Sequence, residues 1–170
     1  MDVNKLVKRI KEGDGRAFDE LYERMRKAVY YTAYSVLRDA GDAENVMQDA
    51  FIRFYRSLDS IDPRVNAGSY LLTIARNCAI NEYNKGKRSV SVSLETLDYL
   101  EARAPSETGV VDLAAKVLDE RSFNVLVLCA IDGYKRREVA EMLDMPIGTV
   151  TWIYNKALET LRKSLEKEGL

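Results

Sequence analysis

Between Tyr134 and Leu165 the chain gathers side chains suited to holding a polyanion. Lys135, Arg136 and Arg137 stand together at one end, and Lys156, Arg162 and Lys163 follow in the second half. Cations of this kind contact phosphate oxygens, whereas hydroxyls and apolar groups address base edges. Thr149, Thr151, Trp152 and Ile153 lie between the two cationic groups and offer both kinds of surface. The chemistry this combination serves is recognition, with no bond made or broken. Spacing shows the elements that must present these groups. Val139, Ala140 and Leu143 give a short helix, Lys135 to Leu143, an apolar stripe. Ile147, Val150, Tyr154, Ala157 or Leu158, Leu161 and Leu165 give a longer second helix its own stripe at intervals of three and four. Asp144-Met145-Pro146 separates them, and Pro146 suits the first turn of the second helix, where a missing N–H costs little. With the stripe passing through Val150 and Tyr154, Trp152 and Ile153 are expected to face outward, toward a groove or a partner. Two short helices joined by about three or four residues form the helix-turn-helix pattern, whose second helix enters the DNA major groove. A plain helical hairpin of a small bundle has the same spacing.

Catalysis finds no support elsewhere. The chain has no histidine, which removes the commonest general base and the commonest metal ligand. Gly13-Asp14-Gly15 lacks the Lys-Ser/Thr that completes a phosphate loop and reads as a turn between helices. Cys78 and Cys129 fall in separate apolar helical patterns without a CxxC pair, so they read as buried free thiols rather than a disulfide or a zinc site. The expectation is a non-enzyme with no cofactor, no metal and no small-molecule substrate. No apolar run approaches a membrane span, and MDVNKLVKRIKEGD lacks a secretory signal. No membrane insertion and a cytoplasmic location follow as expectations.

The fold class expected is all-α: two small helical domains joined by a flexible linker. Apolar periodicity places helices at 3–12, 16–37, 43–58, 67–85, 111–118, 120–131, 135–143 and 147–166. Asp14 or Gly15 can begin the second, and the glycine of Arg38-Asp39-Ala40-Gly41 is expected to end it. Ser89-Val90-Ser91-Val92-Ser93 alternates and reads as the extended start of a linker. Residues 90–110 carry Ser, Thr, Glu, Pro105 and Gly109 without a sustained apolar stripe, with one helical turn expected near Leu97–Leu100. This divides the chain into domains at 1–89 and 111–170. The net charge of −1 is low for a free DNA binder. Its distribution is uneven. Residues 1–89 hold 16 basic and 13 acidic side chains, residues 90–112 hold one and five, and residues 113–170 hold nine of each.

A second motif lies upstream. Asp42, Ala43, Glu44, Asn45, Val46, Met47, Gln48, Asp49, Ala50 and Phe51 match a D-A-E-D-hydrophobic-x-Q-E-x-F run. Tyr70, Leu71, Leu72, Thr73, Ile74, Ala75, Arg76 and Asn77 match W-L-x-x-I-A-R-N. Glu138-Val139-Ala140, Leu143, Gly148-Thr149-Val150, Ala157 and Leu161-Arg162 match E-I-A-x-x-L-G-x-x-x-G-T-V-K-S-R and the basic helix after it. In order and spacing these motifs resemble the bacterial RNA polymerase sigma factors of the small, two-domain extracytoplasmic-function class, over nearly the whole chain.

The resemblance implies a sigma region 2-like bundle and a sigma region 4-like helix-turn-helix. It also implies binding to core RNA polymerase, promoter recognition and help in melting the promoter. Asp42, Asn45, Gln48 and Asp49 would grip the clamp helices of the largest polymerase subunit, where acids and amides meet basic partners. A solvated helix face with N-terminal acids has the same composition. The −10 element on the non-template strand would be read by Arg76, Asn77, Asn81, Asn84, Lys87 and Arg88. There amides can pair with base edges and cations follow the backbone. Tyr70 and Tyr83 could stack on bases, although helical aromatics are more often core. The family commonly has Asp where Asn81 stands and Arg or Lys where Asn84 stands. The −35 duplex would be read by Lys135, Arg136, Arg137, Thr149, Thr151, Trp152, Ile153, Lys156 and Arg162. Where relatives carry Lys-Ser-Arg, this chain has Thr151-Trp152-Ile153. That change weakens phosphate contact and offers apolar groups either to thymine methyls or to another protein. An anti-sigma factor is a further partner the family often has. Two rival readings remain at this level: a stand-alone helix-turn-helix regulator, and a degenerate sigma-like interaction protein.

Overall fold

The structure, a computed structural model, describes residues 2–90 and 109–168. Among them are eight α-helices, one 3-10 turn and no strand. The helices are α1 (Val3–Lys11), α2 (Gly15–Leu37), α3 (Ala40–Ser57), α4 (Ala67–Val90), α5 (Gly109–Val117), α6 (Glu120–Ala130), α7 (Arg136–Met142) and α8 (Ile147–Glu168), with the 3-10 turn at Leu58–Ser60. Four start behind an aspartate whose carboxylate accepts a first-turn N–H. Asp2 accepts from Asn4, Asp14 from Arg16, Asp39 from Asp42 and Asp119 from Ser122, at 2.8–3.1 Å. Each such cap stabilises its helix by about 1 kcal/mol. The Ser122 N–H also holds the Asp119 carboxyl below its ordinary range.

The expected helices are all present, and the differences between expectation and structure have local causes. Gly41 does not end α2. It lies in the first turn of α3, and α2 ends at Arg38, whose backbone is left-handed at φ 56°. The Arg38 side chain compensates by donating from Nε to the Ser35 carbonyl. Pro146 precedes α8 rather than opening it, and its carbonyl accepts from Thr149 and Val150. The break before it is a Schellman turn, with Asp144 at φ 52° and the Met145 N–H bonded to the Ala140 carbonyl. On α8 the inward residue is Ala157, while Leu158 and Ile147 are exposed. α4 runs through Ser89 and Val90, which alternation had assigned to an extended segment. The rest of the expected linker, with the turn near Leu97–Leu100, lies outside the described residues.

Flanked by α1, α3, α4 and α6, α2 is the organising helix. Leu21, Met25 and Val29 of α2 belong to one contiguous core with Phe54 of α3 and Leu71 of α4. That same core takes in Val125 and Leu128 of α6, Val139 and Met142 of α7, and Val150 and Ile153 of α8. A second cluster joins Leu113, Phe123, Leu126, Ala157 and Leu161, with Tyr31 and Tyr34 of α2 packed on it. The two halves, expected as two small domains joined by a flexible linker, share buried apolar surface. Hydrogen bonds cross the same boundary. The Tyr134 hydroxyl donates to the Arg24 carbonyl, Tyr34 to Asp112, Asn66 to the Glu141 carbonyl, and Ser69 to the Met142 carbonyl at 2.7 Å.

One charge is buried at this boundary. The Asp132 side chain is 1% exposed and its nearest cation is Lys27 on α2, at 3.5 Å. Neither carboxylate oxygen has a hydrogen bond of good geometry. Burial pushes its pKa up, and Lys27 offsets this only in part. A carboxyl raised in the folded state binds its proton more tightly there than when unfolded. Its contribution to stability is therefore present at low pH and lost as pH rises through the folded-state pKa.

Two predictions follow from the shared core. Denaturant unfolding of the full chain should be one cooperative transition. Leu128→Ala should lower it by roughly 2–5 kcal/mol while keeping it single; two separable transitions would show that the halves fold apart. Asp132→Asn should be at least as stable as the parent at neutral pH, with the advantage shrinking on acidification. Denaturation midpoints across a pH series check the sign.

Candidate protein and nucleic-acid interfaces

Helix α3 divides cleanly by burial. Ala43, Met47, Ala50 and Phe54 point inward as their spacing requires, as does Leu58 in the 3-10 turn that follows, while Asp42, Asn45 and Gln48 are exposed and Asp49 is half-buried. Asp49 is paired with Arg53 at 2.8 Å, one turn on. The outer face carries two residues that the motif does not single out, Ile52 and Tyr55, both more than half exposed. With Asn45 and Gln48 they recur at intervals of three and four and so form one stripe. Tyr55 stands edge-on to Phe18 of α2, with ring centroids 5.1 Å apart. A groove of about 600 Å³ runs alongside, lined by Phe18, Tyr22, Gln48, Phe51, Ile52 and Tyr55 among others. The available signal was large apolar residues out of phase with the inward stripe.

On α4, Asn77, Asn81 and Asn84 are exposed, and their spacing puts the three amides on one side of the helix. Arg76 is turned away from them. Its Nε donates to both carboxylate oxygens of Glu120 on α6, at 2.8 and 2.9 Å, so it bridges the two halves of the molecule. Tyr70 packs into the core beside Phe54, whereas Tyr83 is exposed. Lys87 and Arg88 fall in the last turn of α4, and their side chains lie outside the described residues. Helices α3 and α4 meet at a small groove of about 230 Å³ whose walls include Asp42, Asn45, Asp49 and Asn81. Candidate residues expected for two different roles are thus brought together. Cys78 lies at the same seam, where burial raises its thiol pKa.

The α7–α8 pair presents a face with few uncompensated cations. Arg137 pairs with Glu141 at 3.5 Å, Arg162 with Glu166 at 3.2 Å, and Lys163 with Glu159. Arg136 lies over the Tyr154 ring at 5.0 Å. The Lys135 N–H donates to Glu138, which in turn meets Arg24 of α2 at 3.5 Å. Thr149 and Thr151 are half-buried. Ile153 corrects an expectation: it is only 5% exposed and belongs to the central core, so it does not face a groove. Each helical step turns about 100°, and that one step separates Ile153 from Trp152, which is 61% exposed. The Lys156 ammonium lies 4.6 Å from the centre of the Trp152 ring.

Comparison with known proteins places the chain in a family. Residues 21–89 match the family model for sigma-70 region 2, and residues 114–163 match that for sigma-70 region 4. The chain is 30% identical to the ECF RNA polymerase sigma factor SigW of Bacillus subtilis, an alignment covering 97% of each protein. It is 27% identical to the RNA polymerase sigma-H factor of Pseudomonas aeruginosa, over 95% of this chain and 92% of that one. Among solved structures it resembles CnrH, determined in complex with the cytosolic domain of CnrY. The TM-score is 0.63 at 26% identity, covering 96% of this chain and 97% of CnrH. The chain belongs to the ECF class of RNA polymerase sigma factors. It is a sigma factor that directs transcription initiation. Among the described residues no helix is long and apolar enough to cross a membrane.

Proposed function

We propose that three faces of the molecule divide the work of initiation. The outer face of α3 binds core RNA polymerase through Asp42, Asn45, Gln48 and Asp49, extended by Ile52 and Tyr55. The exposed side of α4 reads the single-stranded −10 element through Asn77, Asn81 and Asn84, with Lys87 and Arg88 following the backbone. The α7–α8 pair reads the −35 duplex. In this division residues 1–89 form the polymerase-binding and −10 domain, 90–110 the acidic connection, and 111–170 the −35 domain. The protein acts by binding alone, without catalysis, in the cytoplasm. An anti-sigma factor, a partner the family often has, is a further partner; the related CnrH was solved in complex with the cytosolic domain of CnrY.

The observation that carries this proposal is the groove between α3 and α4, walled by Asp42, Asn45, Asp49 and Asn81. A polymerase gripping α3 would hold the non-template strand beside α4. Apolar side chains with acids and amides around them suit a protein partner. A row of amides suits base edges.

Transcription reconstituted with purified core polymerase and a promoter library tests the proposal. Promoter-selective initiation should require this protein. Ile52→Asp with Tyr55→Ala should weaken core binding at least tenfold, about 1.4 kcal/mol, without unfolding the chain, because both residues are exposed. The triple change of Asn77, Asn81 and Asn84 to Ala should leave core binding intact and abolish strand opening, read by permanganate reactivity of −10 thymines. Core binding without initiation would instead mark a degenerate relative. Tight duplex binding without polymerase would mark a stand-alone regulator.

A further inference from the structure

We infer that Trp152 is the specificity-determining side chain of α8, and that it recognises a thymine through its C5-methyl group. The inference rests on the −35 role proposed for α7–α8. Trp152 is the only tryptophan in the chain. It stands in the second turn of α8, the part of a recognition helix that contacts base edges. With Ile153 in the core and Ile147 and Leu158 well over 90° away around the helix, Trp152 is the one large apolar group on its face.

Two features favour DNA over a protein as its occupant. A protein partner needs a contiguous apolar patch, and the other exposed large apolar residues of α8, Ile147 and Leu158, lie together on a different side of the helix from Trp152. None of the residues nearest Trp152 along the helix face carries a large apolar side chain: Gly148 and Thr149 lie one turn before, Asn155 and Lys156 one turn after. Of the four bases only thymine presents an apolar group in the major groove, so an indole there selects thymine. Lys156 acts as a positioning residue. Its ammonium holds the ring by a cation–π contact at 4.6 Å, and its charge lies where a phosphate or a guanine would meet it. The weak cationic character of this face makes such a contact matter more. Arg137, Arg162 and Lys163 all have carboxylates one turn away.

The test removes one methyl group from the DNA. Promoters selected with the reconstituted holoenzyme are rebuilt with deoxyuridine replacing each −35 thymine in turn, which leaves base pairing unchanged. At one position the parent protein should lose about fourfold in promoter binding, the worth of one buried methyl. Trp152→Ala should bind the thymine and uracil promoters equally, with unchanged core affinity, and Trp152→Phe should keep part of the preference. Lys156→Met should shrink the preference without abolishing it. Uracil tolerated at every −35 position, or a preference that survives in Trp152→Ala, overturns the inference. Trp152→Ala that weakens core binding and lowers both promoters alike also overturns it, and makes the residue a protein contact. Fluorescence of Trp152 in the full chain, titrated with the same duplexes without polymerase, keeps the two ideas apart. A thymine preference there without any initiation would leave this inference standing and remove the sigma role.

Discussion

Burial of α2 on two sides is the constraint from which the rest of the arrangement follows. One side of the helix closes the bundle of α1, α3 and α4, while Met25, Val29, Tyr31 and Tyr34 also serve the helices that follow residue 109. Because α6 packs on α2 and α7 on α4, with α8 packed on both α6 and α7, their orientation is not left to a tether. The surfaces that remain outward are then decided by subtraction. On α3 they are the Asn45–Gln48–Ile52–Tyr55 stripe, on α4 the three asparagines, and on α8 Trp152 with its lysine.

The periphery of that boundary differs in kind from its centre. At the centre are apolar side chains and the buried Asp132, whose desolvation works against the packing. At the rim is the Arg76–Glu120 pair, with side chains 51% and 30% exposed. An ion pair this wet is worth about 0–1 kcal/mol, so Arg76 can leave Glu120 for a phosphate at small cost. Separating the apolar centre costs far more. The packing of the halves is set by the core, and the engagement of Arg76 is a consequence of it.

Much of this was legible in the sequence, for reasons particular residues make plain. Helices were readable because their apolar residues repeat at three and four, and because Asp14 stands at a start. The inward stripe running from Ala43 through α3 to Leu58 in the turn after it was right residue by residue. Errors came where two solutions satisfy the same pattern. Gly41 looked like a helix end, but Arg38 could take the left-handed position itself because its guanidinium reaches the Ser35 carbonyl. Trp152 and Ile153 are adjacent, and one 100° step decides which is buried. The docking of the two halves was not readable at all. A linker's composition reports that it is polar, and says nothing of whether the elements it joins have complementary apolar faces.

Charge supplies the last step. A chain of net charge −1 whose α8 cations sit one turn from carboxylates has little electrostatic attraction for duplex DNA, since affinity from phosphate contacts scales with the number neutralised. Such a protein need not hold DNA by itself. If α3 is anchored on a large partner, the α8 contact becomes intramolecular, and its effective concentration is set by the spacing the shared core fixes between the two helices rather than by the bulk solution. Weak phosphate contact is then an advantage, because a sequence-independent term that is small leaves base contacts to decide where the complex settles. A single exposed indole on α8 is a sufficient reader under that condition, and would be an insufficient one for a protein that had to find its site alone.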